Sequence, residues 1–309
     1  MLRRALVPAV AVALGVALGA VGWLVDGDAL PWGAVGLGAG LVVGSAVPVL
    51  LGRVRGDRRR LRDGSAAADL TGLPLVAHLH PPSDDDLGRR RAEESHRMLR
   101  AALALPGPSS SGPARTVVVT SSAPAEGKTT TTAGLARALA RSGRPVVAVE
   151  ADLRRPALAR AFGLEPAHLP ARGLATAIAD GTDPIDLLVE VEPGLRLLPA
   201  GDLPPGAPEL LSGPDVVAVL AGLTTLGVTI VVDTAPLLPV ADTRELLASR
   251  AVGRVVLVVR PGTVRRHEPR DAAALLPDGI SAVLAIAGRA ATPRAYDRYL
   301  RESSAAPRR

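Results

Sequence analysis

One stretch of this chain combines residue types that bind phosphate. An apolar run at 117–119 leads through small residues to Gly127, Lys128 and Thr129, and a periodic segment then predicts a helix over 129–141. Small residues let successive backbone N–H groups curl around phosphate oxygens, and a helix N-terminus adds a partial positive charge. Lys128 is predicted to reach the β- and γ-phosphates of a nucleotide, and the Thr129 hydroxyl to ligate Mg²⁺.

The match to the general phosphate-loop pattern, G-x-x-x-x-G-K-[ST], is incomplete, because Ser122 stands where the first glycine belongs. The alternative is a chance turn before a helix, which the acidic strand ends farther along the chain disfavour. The residues predicted to contact the nucleotide are Ala125, Glu126, Gly127, Lys128, Thr129 and Thr130.

Two later apolar runs end in carboxylates. The run 145–149 is followed by Glu150 and Asp152, and the run 228–232 ends at Asp233. Parallel strands deliver such side chains to the carboxyl edge of their sheet, where ligands bind in open α/β folds. Asp233 is therefore predicted to hold Mg²⁺ or its water.

Strands and helices alternate along the rest of the chain. Apolar runs at 195–198, 255–259 and 280–286 predict three more strands, and a helix is predicted over 208–223. Asp242 begins another predicted helix. Its side chain is either the N-cap of that helix or a nucleotide contact, and the sequence favours neither. The alternation predicts an α/β fold with a doubly wound parallel sheet.

The N-terminal part of the chain predicts a two-helix transmembrane hairpin. Two uncharged runs, 5–25 and 30–51, are each long enough to cross a bilayer, and Trp23 and Trp32 flank the short connector. Arginines precede the first run and follow the second, which places both ends in the cytoplasm beside anionic lipid. A signal peptide is the alternative for the first run, but it lacks a clear small-x-small cleavage site.

The segment 63–86 is predicted to be a linker, and a helix over 87–105 follows it. On that helix Glu94, Arg97 and Arg100 fall near one face, which spacing alone explains as a salt-bridged surface. The chain has no cysteine, which excludes disulfides and thiolate metal sites. Its net charge of +6 is clustered and its aromatic content is 2%, so membrane lipids or phosphates are expected as partners and nucleic acid is not.

With these residues in place, the chain resembles the bacterial tyrosine kinases of capsule and exopolysaccharide synthesis over roughly residues 73–286. The segment 121–130 is similar to their Walker A loop, and 150–156 to their second motif, Asp-x-Asp-x-x-Arg-Pro. The segment 231–236 is similar to their Walker B strand. The helix with Glu94, Arg97 and Arg100 is similar to one that implies ring-like self-association.

The resemblance implies a P-loop NTPase that uses ATP and Mg²⁺ for protein-tyrosine autophosphorylation. The implied catalytic residues are Lys128, Glu150, Asp152 and Asp233, with Thr129 and Asp233 on the metal. Asp152, with Glu150, would orient or deprotonate the acceptor hydroxyl. The chain's two tyrosines, Tyr296 and Tyr299, both lie in the C-terminal tail, where the family carries its acceptors. Polysaccharide polymerase and export machinery are the implied partners at the bacterial plasma membrane.

The predicted division is a membrane hairpin with a basic segment (1–62), a linker and oligomerisation helix (63–113), a P-loop kinase domain (114–290) and a disordered tail (291–309). Ala125 replaces a usual loop glycine, and Glu150 replaces the first aspartate of the second motif. These departures favour an alternative, a catalytically decayed, ATP-gated assembly switch or scaffold akin to partition and division-site ATPases. A transport ATPase subunit is a weaker third class, since two spans cannot line a pore alone.

Overall fold

A computed structural model describes residues 60–61, 63–105, 115–249, 251–288 and 300. The described residues from Leu61 onward belong to one compact unit. Both predicted membrane spans lie outside the described residues, as do Tyr296 and Tyr299. Among the helices of the described ranges, none has the length and hydropathy needed to cross a bilayer.

The unit is built on an eight-stranded sheet in the order β1-β8-β7-β2-β6-β3-β5-β4. Every neighbouring pair is parallel except β4 and β5, which form an antiparallel edge. The strands are β1 Leu75–Leu79, β2 Thr116–Ser121, β3 Val146–Ala151, β4 Val189–Glu192, β5 Leu195–Leu198, β6 Thr229–Thr234, β7 Arg254–Val259 and β8 Ser281–Ala287. The predicted parallel α/β fold is confirmed.

Helices connect the parallel strands, because parallel neighbours need a crossover connection. They are α1 Gly64–Thr71, α2 Asp86–Leu103, α3 Lys128–Ala140, α4 Leu158–Ala161, α5 Leu174–Asp180, α6 Pro214–Thr224, α7 Asp242–Ala248 and α8 His267–Ala273. Short 3₁₀ helices cover Pro166–His168, Pro184–Leu187 and Ala207–Ser212. The helix predicted over 208–223 is thus divided, because Gly213 adopts an extended conformation between a 3₁₀ turn and α6.

Both faces of the sheet are covered, and the central strands show why. Val118 of β2 lies in one apolar cluster, whereas Val117 and Val119 lie in the other, on the opposite face. Successive side chains of a strand point to opposite faces, so a strand covered on both sides must be apolar throughout. This explains the continuous apolar runs by which β2, β3 and β6 were predicted.

The segment 63–86 is not the linker that the sequence analysis predicts. It contains α1 and β1, and β1 pairs in parallel with β8 at the edge of the sheet. Asp63 caps α1 by accepting a hydrogen bond from the backbone of Ser65 at 3.0 Å. The prediction was wrong because Leu75–Leu79 is a five-residue strand flanked by proline and aspartate, which resembles loop composition.

Candidate functional site

The phosphate-type loop joins β2 to α3 at the carboxyl edge of the sheet. It runs from Ser122 to Gly127, and Lys128 is the first residue of the helix. Two of its residues have left-handed backbone conformations, Ala125 at φ +66° and Gly127 at φ +97°. Such turns aim consecutive N–H groups toward one point, as an anion-binding loop requires.

Lys128, which follows β2, lies close to carboxylates at the ends of two strands, β3 and β6. Its Nζ is 2.7 Å from Oδ2 of Asp152 and 4.0 Å from Oδ2 of Asp233, and its side chain is 12% exposed. The register explains the grouping, since Asp233 of β6 is paired with Glu150 of β3 and with Val119 of β2. Lys128 is also the only lysine of the chain.

Asp233 is held by two threonines of α3. Its Oδ2 accepts a hydrogen bond from the Thr129 hydroxyl at 2.7 Å, and its Oδ1 accepts one from Thr132 at 3.0 Å. Thr132 was not predicted, although its spacing of three residues from Thr129 places both on one side of the helix. A fully buried carboxylate beside a hydroxyl offers the oxygen ligands that Mg²⁺ prefers.

The charges at this edge perturb one another. Burial raises the pKa of the Asp233 carboxyl, against the opposing effect of Lys128 and the two threonine hydroxyls. Burial would lower the pKa of the Lys128 ammonium, but the charges of Asp233 and Asp152 outweigh it and raise that pKa. Clustered titratable groups with perturbed pKa values are typical of functional sites.

Mg²⁺ would need ligands from the nucleotide as well as from the chain. Within the described residues, no group of three or more His, Cys, Asp or Glu side chains is arranged to hold a metal ion. Mg²⁺ commonly binds through one or two carboxylates together with substrate phosphates and water, so Thr129 and Asp233 fit the ion.

Asp152 remains close to the loop, whereas Glu150 is engaged elsewhere. Oε2 of Glu150 accepts hydrogen bonds from the backbone N–H groups of Ala157 at 2.7 Å and Leu158 at 2.6 Å. Its Oε1 accepts a longer one, 3.3 Å, from the backbone of Asp152. Burial, followed by the charge of Asp233, raises the pKa of the Glu150 carboxyl. Glu150 thus caps the turn that carries the second motif.

Arg154 of the second motif forms an ion pair with a buried carboxylate of α7. Arg154 binds both carboxylate oxygens of Asp242, at 2.7 and 3.1 Å. Asp242 begins α7, and its side chain makes no N-cap hydrogen bond. The N-cap alternative for Asp242 is therefore wrong, because its carboxylate forms a bidentate ion pair that ties α7 to the motif loop. A nucleotide contact by Asp242 stays a prediction.

Two of the predicted nucleotide contacts face away from the cluster. Glu126 is fully buried, and its carboxylate accepts hydrogen bonds from the backbone of Ala123 at 2.6 Å and of Arg260 at 3.1 Å. Burial raises the pKa of Glu126 to about 7. Thr130 lines a cleft between α2 and α3. Either residue could reach phosphate through its backbone N–H group alone.

Helix α2 packs closely against α3, where the His96 ring covers Gly134. A Cβ on Gly134 would lie 2.2 Å from Nε2 of His96, so only glycine permits this contact. Arg97 pairs with Glu94 at 2.7 Å, as the spacing predicts. Arg97 and Arg100 line the cleft of about 860 Å³ between the helices, together with three further arginines, Arg89, Arg137 and Arg141.

The fold and this site define a P-loop nucleotide-binding protein. The family described as CobQ/CobB/MinD/ParA nucleotide binding domain matches residues 117–290, more than half of the chain. The chain belongs to this family.

Known proteins similar to the chain include named tyrosine kinases. It is 32% identical over 160 residues to tyrosine-protein kinase YwqD of Bacillus subtilis (strain 168), covering 51% of this chain and 65% of YwqD. It is 32% identical over 165 residues to the succinoglycan biosynthesis transport protein ExoP of Rhizobium meliloti (strain 1021), covering 51% of this chain and 20% of ExoP. The match therefore spans less than two thirds of either relative.

Among solved structures, the BceF tyrosine kinase domain is similar with a TM-score of 0.59 and 27% sequence identity. The similarity covers 73% of this chain and 98% of that domain. The resemblance to bacterial tyrosine kinases that the motifs predict is confirmed by these relatives.

Replacing Ala125 with glycine is expected to stabilise the domain. Ala125 has φ +66°, a conformation that costs an L-residue about 1–2 kcal/mol, partly offset by the greater chain entropy of unfolded glycine. The net gain should raise the melting temperature by about 1–3 °C, measured by thermal unfolding. Ala104→Gly is the matched control, because Ala104 also has positive φ but lies outside the loop. Only Ala125→Gly should also alter nucleotide affinity; equal affinities would show that the loop methyl does not obstruct phosphate.

Replacing Glu150 with aspartate, the residue usual in the motif that the chain resembles, is expected to weaken the fold and not to raise activity. The shorter side chain withdraws from the N–H groups of Ala157 and Leu158, and an unsatisfied buried donor costs about 1–3 kcal/mol. Denaturant unfolding would measure the loss, with exposed Glu190→Asp as control. Higher phosphotransfer in Glu150→Asp would show instead that the carboxylate acts on the acceptor.

Proposed function

We propose that the chain is a membrane-anchored protein-tyrosine autokinase that uses ATP and Mg²⁺ and regulates polysaccharide assembly or export. The observation that carries the proposal is the buried cluster of Lys128, Asp152 and Asp233 at the N-terminus of α3. The similarity to the tyrosine kinases YwqD and BceF supports tyrosine as the acceptor class. The similarity to the succinoglycan biosynthesis transport protein ExoP supports the link to polysaccharide biosynthesis.

In this proposal the loop and the first residues of α3 bind the phosphates of ATP. Backbone N–H groups from Ala125 to Thr130 surround the phosphate oxygens, and Lys128 contacts the β- and γ-phosphates. Thr129 and Asp233 hold Mg²⁺, which when bound neutralises charge on the phosphates. Phosphoryl transfer asks little else of a protein beyond positioning and charge.

Asp152 is the residue proposed to act on the hydroxyl of the tyrosine acceptor. Its Oδ2 is occupied by Lys128 in the structure, and its Oδ1 accepts the backbone N–H of Arg155 at 3.1 Å. When Lys128 turns to phosphate, Oδ2 becomes free to accept the proton of a tyrosine hydroxyl. The tyrosine oxygen forms the new P–O bond, the bond to the β,γ-bridging oxygen breaks, and ADP leaves with that electron pair.

Tyr296 and Tyr299 are the proposed acceptors. They are the only tyrosines of the chain and lie in a tail that also carries Arg294, Arg298 and Arg301. Transfer between subunits would need an assembly, for which we propose a ring formed through Glu94, Arg97 and Arg100 of α2. The cluster of arginines at the cleft between α2 and α3, which includes Arg97 and Arg100, supports an interaction surface there.

The proposal also assigns a place in the cell and a role to each segment of the chain. Residues 1–62 anchor the chain in the bacterial plasma membrane as a two-helix hairpin, with the catalytic domain on the cytoplasmic side. Residues 63–113 bring the oligomerisation helix to residues 114–290, and residues 291–309 form the acceptor tail. The proposed partners are a second copy of the chain, membrane lipids and the polysaccharide polymerase or export machinery.

The test is phosphotyrosine detection on the full chain in membranes. A Tyr296→Phe/Tyr299→Phe double variant has an intact site and no tyrosine, whereas Lys128→Met keeps both tyrosines and lacks the loop lysine. Each alone should give no signal, and mixing the two should restore phosphotyrosine on the Lys128→Met chain. A parent chain that binds ATP and Mg²⁺ but never acquires phosphotyrosine would refute the kinase proposal.

An ATP-gated assembly switch is the second candidate, and the position of Glu150 favours it. One of the two motif carboxylates is fully used in capping backbone N–H groups, which leaves only Asp152 for the acceptor. A switch would assemble with ATP and respond equally in the parent and in the double phenylalanine variant. A kinase would show assembly that changes once the tail is phosphorylated.

A further inference from the structure

A second cation lies at the phosphate loop, on the flank away from the acidic cluster. β7 is the neighbour of β2 on the side opposite to β6, and Arg260 follows its last residue. Nη2 of Arg260 is 3.4 Å from the position that a Cβ would occupy on Gly127, immediately before Lys128. The guanidinium of Arg260 therefore lies beside the last residue of the loop, where the loop joins α3.

Arg260 has no anionic partner in the part of the chain that the structure describes. No carboxylate there forms an ion pair with it, and its Nε is buried without a hydrogen-bond partner. Arg154 and Lys128, by contrast, each contact carboxylates directly. Burying part of a cation without compensation costs free energy, which an anionic ligand at the same place would offset.

The backbone of Arg260 is fixed to the loop by the loop's own carboxylate. Glu126 accepts the N–H of Arg260 with one oxygen and the N–H of Ala123 with the other. A single buried side chain thus joins the start of the loop to the end of β7. Both anchors are backbone groups, so the link sets where Arg260 emerges without occupying its guanidinium.

We propose that Arg260 is a further nucleotide-binding residue, which places its guanidinium on the phosphates of ATP opposite Lys128, with Glu126 as its positioning residue. The inference rests on the proposed use of ATP at this loop. A guanidinium presents several N–H donors in a planar fork that suits phosphate, and such charge-assisted bonds are stronger than neutral ones. The phosphates would then lie between cations from both flanks of β2.

The test measures binding of a non-hydrolysable ATP analogue and of ADP to the full chain by calorimetry. Arg260→Met is expected to weaken both by about 10- to 100-fold, as for the loss of a charged hydrogen bond. Arg260→Lys should recover part of the loss, because it restores the charge without the fork. Exposed Arg266→Met, six residues away, is the matched control and should bind as the parent does.

The role of Glu126 is tested by a double-mutant cycle with the same ligands. Glu126→Gln keeps the shape but turns one acceptor into a donor that faces a backbone N–H group. It should weaken binding, and adding Arg260→Met should then cost much less than it does in the parent. Full additivity of the two losses would refute the positioning role, because independent sites add.

The remaining outcomes separate this inference from the kinase proposal. Binding of Arg260→Met within about twofold of the parent would overturn it, since a phosphate contact is worth more than that. If Arg260→Met has a much lower melting temperature than the parent in the absence of ligand, Arg260→Lys becomes the deciding variant. An Arg260→Lys chain that melts like the parent but binds the analogue more weakly supports the phosphate contact. A parent that binds the analogue through Arg260 but forms no phosphotyrosine sustains this inference while the kinase proposal fails. A parent that binds no nucleotide overturns both.

Discussion

Lys128→Met is expected to abolish phosphotyrosine on the full chain and to weaken ATP binding by about 10²-fold or more, as when a preorganised charged contact is lost. The side chain loses its contact with phosphate, and its carboxylate neighbours lose the cation between them. Breaking a buried ion pair by removing one partner costs about 3–5 kcal/mol. Asp152 and Asp233 would then repel both each other and the incoming phosphates.

The chain offers a direct readout, because Lys128 is its only lysine. An ATP derivative that acylates amines near its phosphates can label only Lys128 and the N-terminal amine. Labelling should disappear in Lys128→Met and should be blocked by excess ATP in the parent. Exposed Arg266→Met serves as the control for a lost positive charge.

Labelling of the parent that excess ATP does not block would mean that the amine meets the probe outside a nucleotide site. Undiminished phosphotyrosine in Lys128→Met would contradict the role given to this residue. In that case the Lys128–Asp152 contact would have only a structural purpose, and the melting temperature alone would respond to the substitution.

The sequence predicts those parts of the candidate site that depend on local pattern. Gly127, Lys128 and Thr129 are recognisable because a loop between a strand and a helix fixes their roles within a few residues. Asp233 is recognisable because a buried strand that ends in a carboxylate points to the carboxyl edge of the sheet. Both predictions needed only the periodicity of neighbouring residues.

What sequence reasoning missed depends on contacts between distant segments. The hydrogen bonds of Glu150 were not predicted, because the turn after β3 presents two N–H groups that only the folded chain brings to its carboxylate. Arg260 follows an ordinary apolar strand, and only the adjacency of β7 and β2 brings it to the loop. The edge strand β1 was missed because its stability comes from pairing with β8, about 200 residues away.

Asp233→Asn is expected to separate two effects that Lys128→Met combines. The asparagine can still hydrogen-bond with Thr129 and Thr132 but carries no charge. Binding of the ATP analogue without Mg²⁺ should be unchanged or tighter, because a negative charge beside the phosphates is gone. The gain in affinity on adding Mg²⁺ should disappear, and phosphotyrosine should fall about 10²- to 10³-fold, as expected for the loss of an electrostatic contact to the transferred group.

The direction in which Asp233→Asn changes the stability of the fold depends on pH. The pKa of Asp233 is raised by burial, so the folded state binds its proton more tightly than the unfolded state does. The contribution of Asp233 to stability is fully present below the ordinary carboxyl pKa and is lost as pH rises through the raised value. Near neutral pH, Asp233→Asn should therefore melt at or above the parent, and the difference should shrink or reverse in acid.

Exposed Asp278→Asn is the control for the loss of a carboxylate outside the site. Thermal unfolding over a pH series and titration of the analogue with and without Mg²⁺ give the two readouts. An Asp233→Asn chain that keeps its response to Mg²⁺ would remove Asp233 from the metal site. If the response to Mg²⁺ is lost and the melting temperature at neutral pH also falls strongly, the ionised carboxylate is needed to hold Thr129 and Thr132. Mg²⁺ is assigned to the Asp233 side chain only if Asp233→Asn folds as stably as the parent and its affinity for the analogue no longer responds to Mg²⁺.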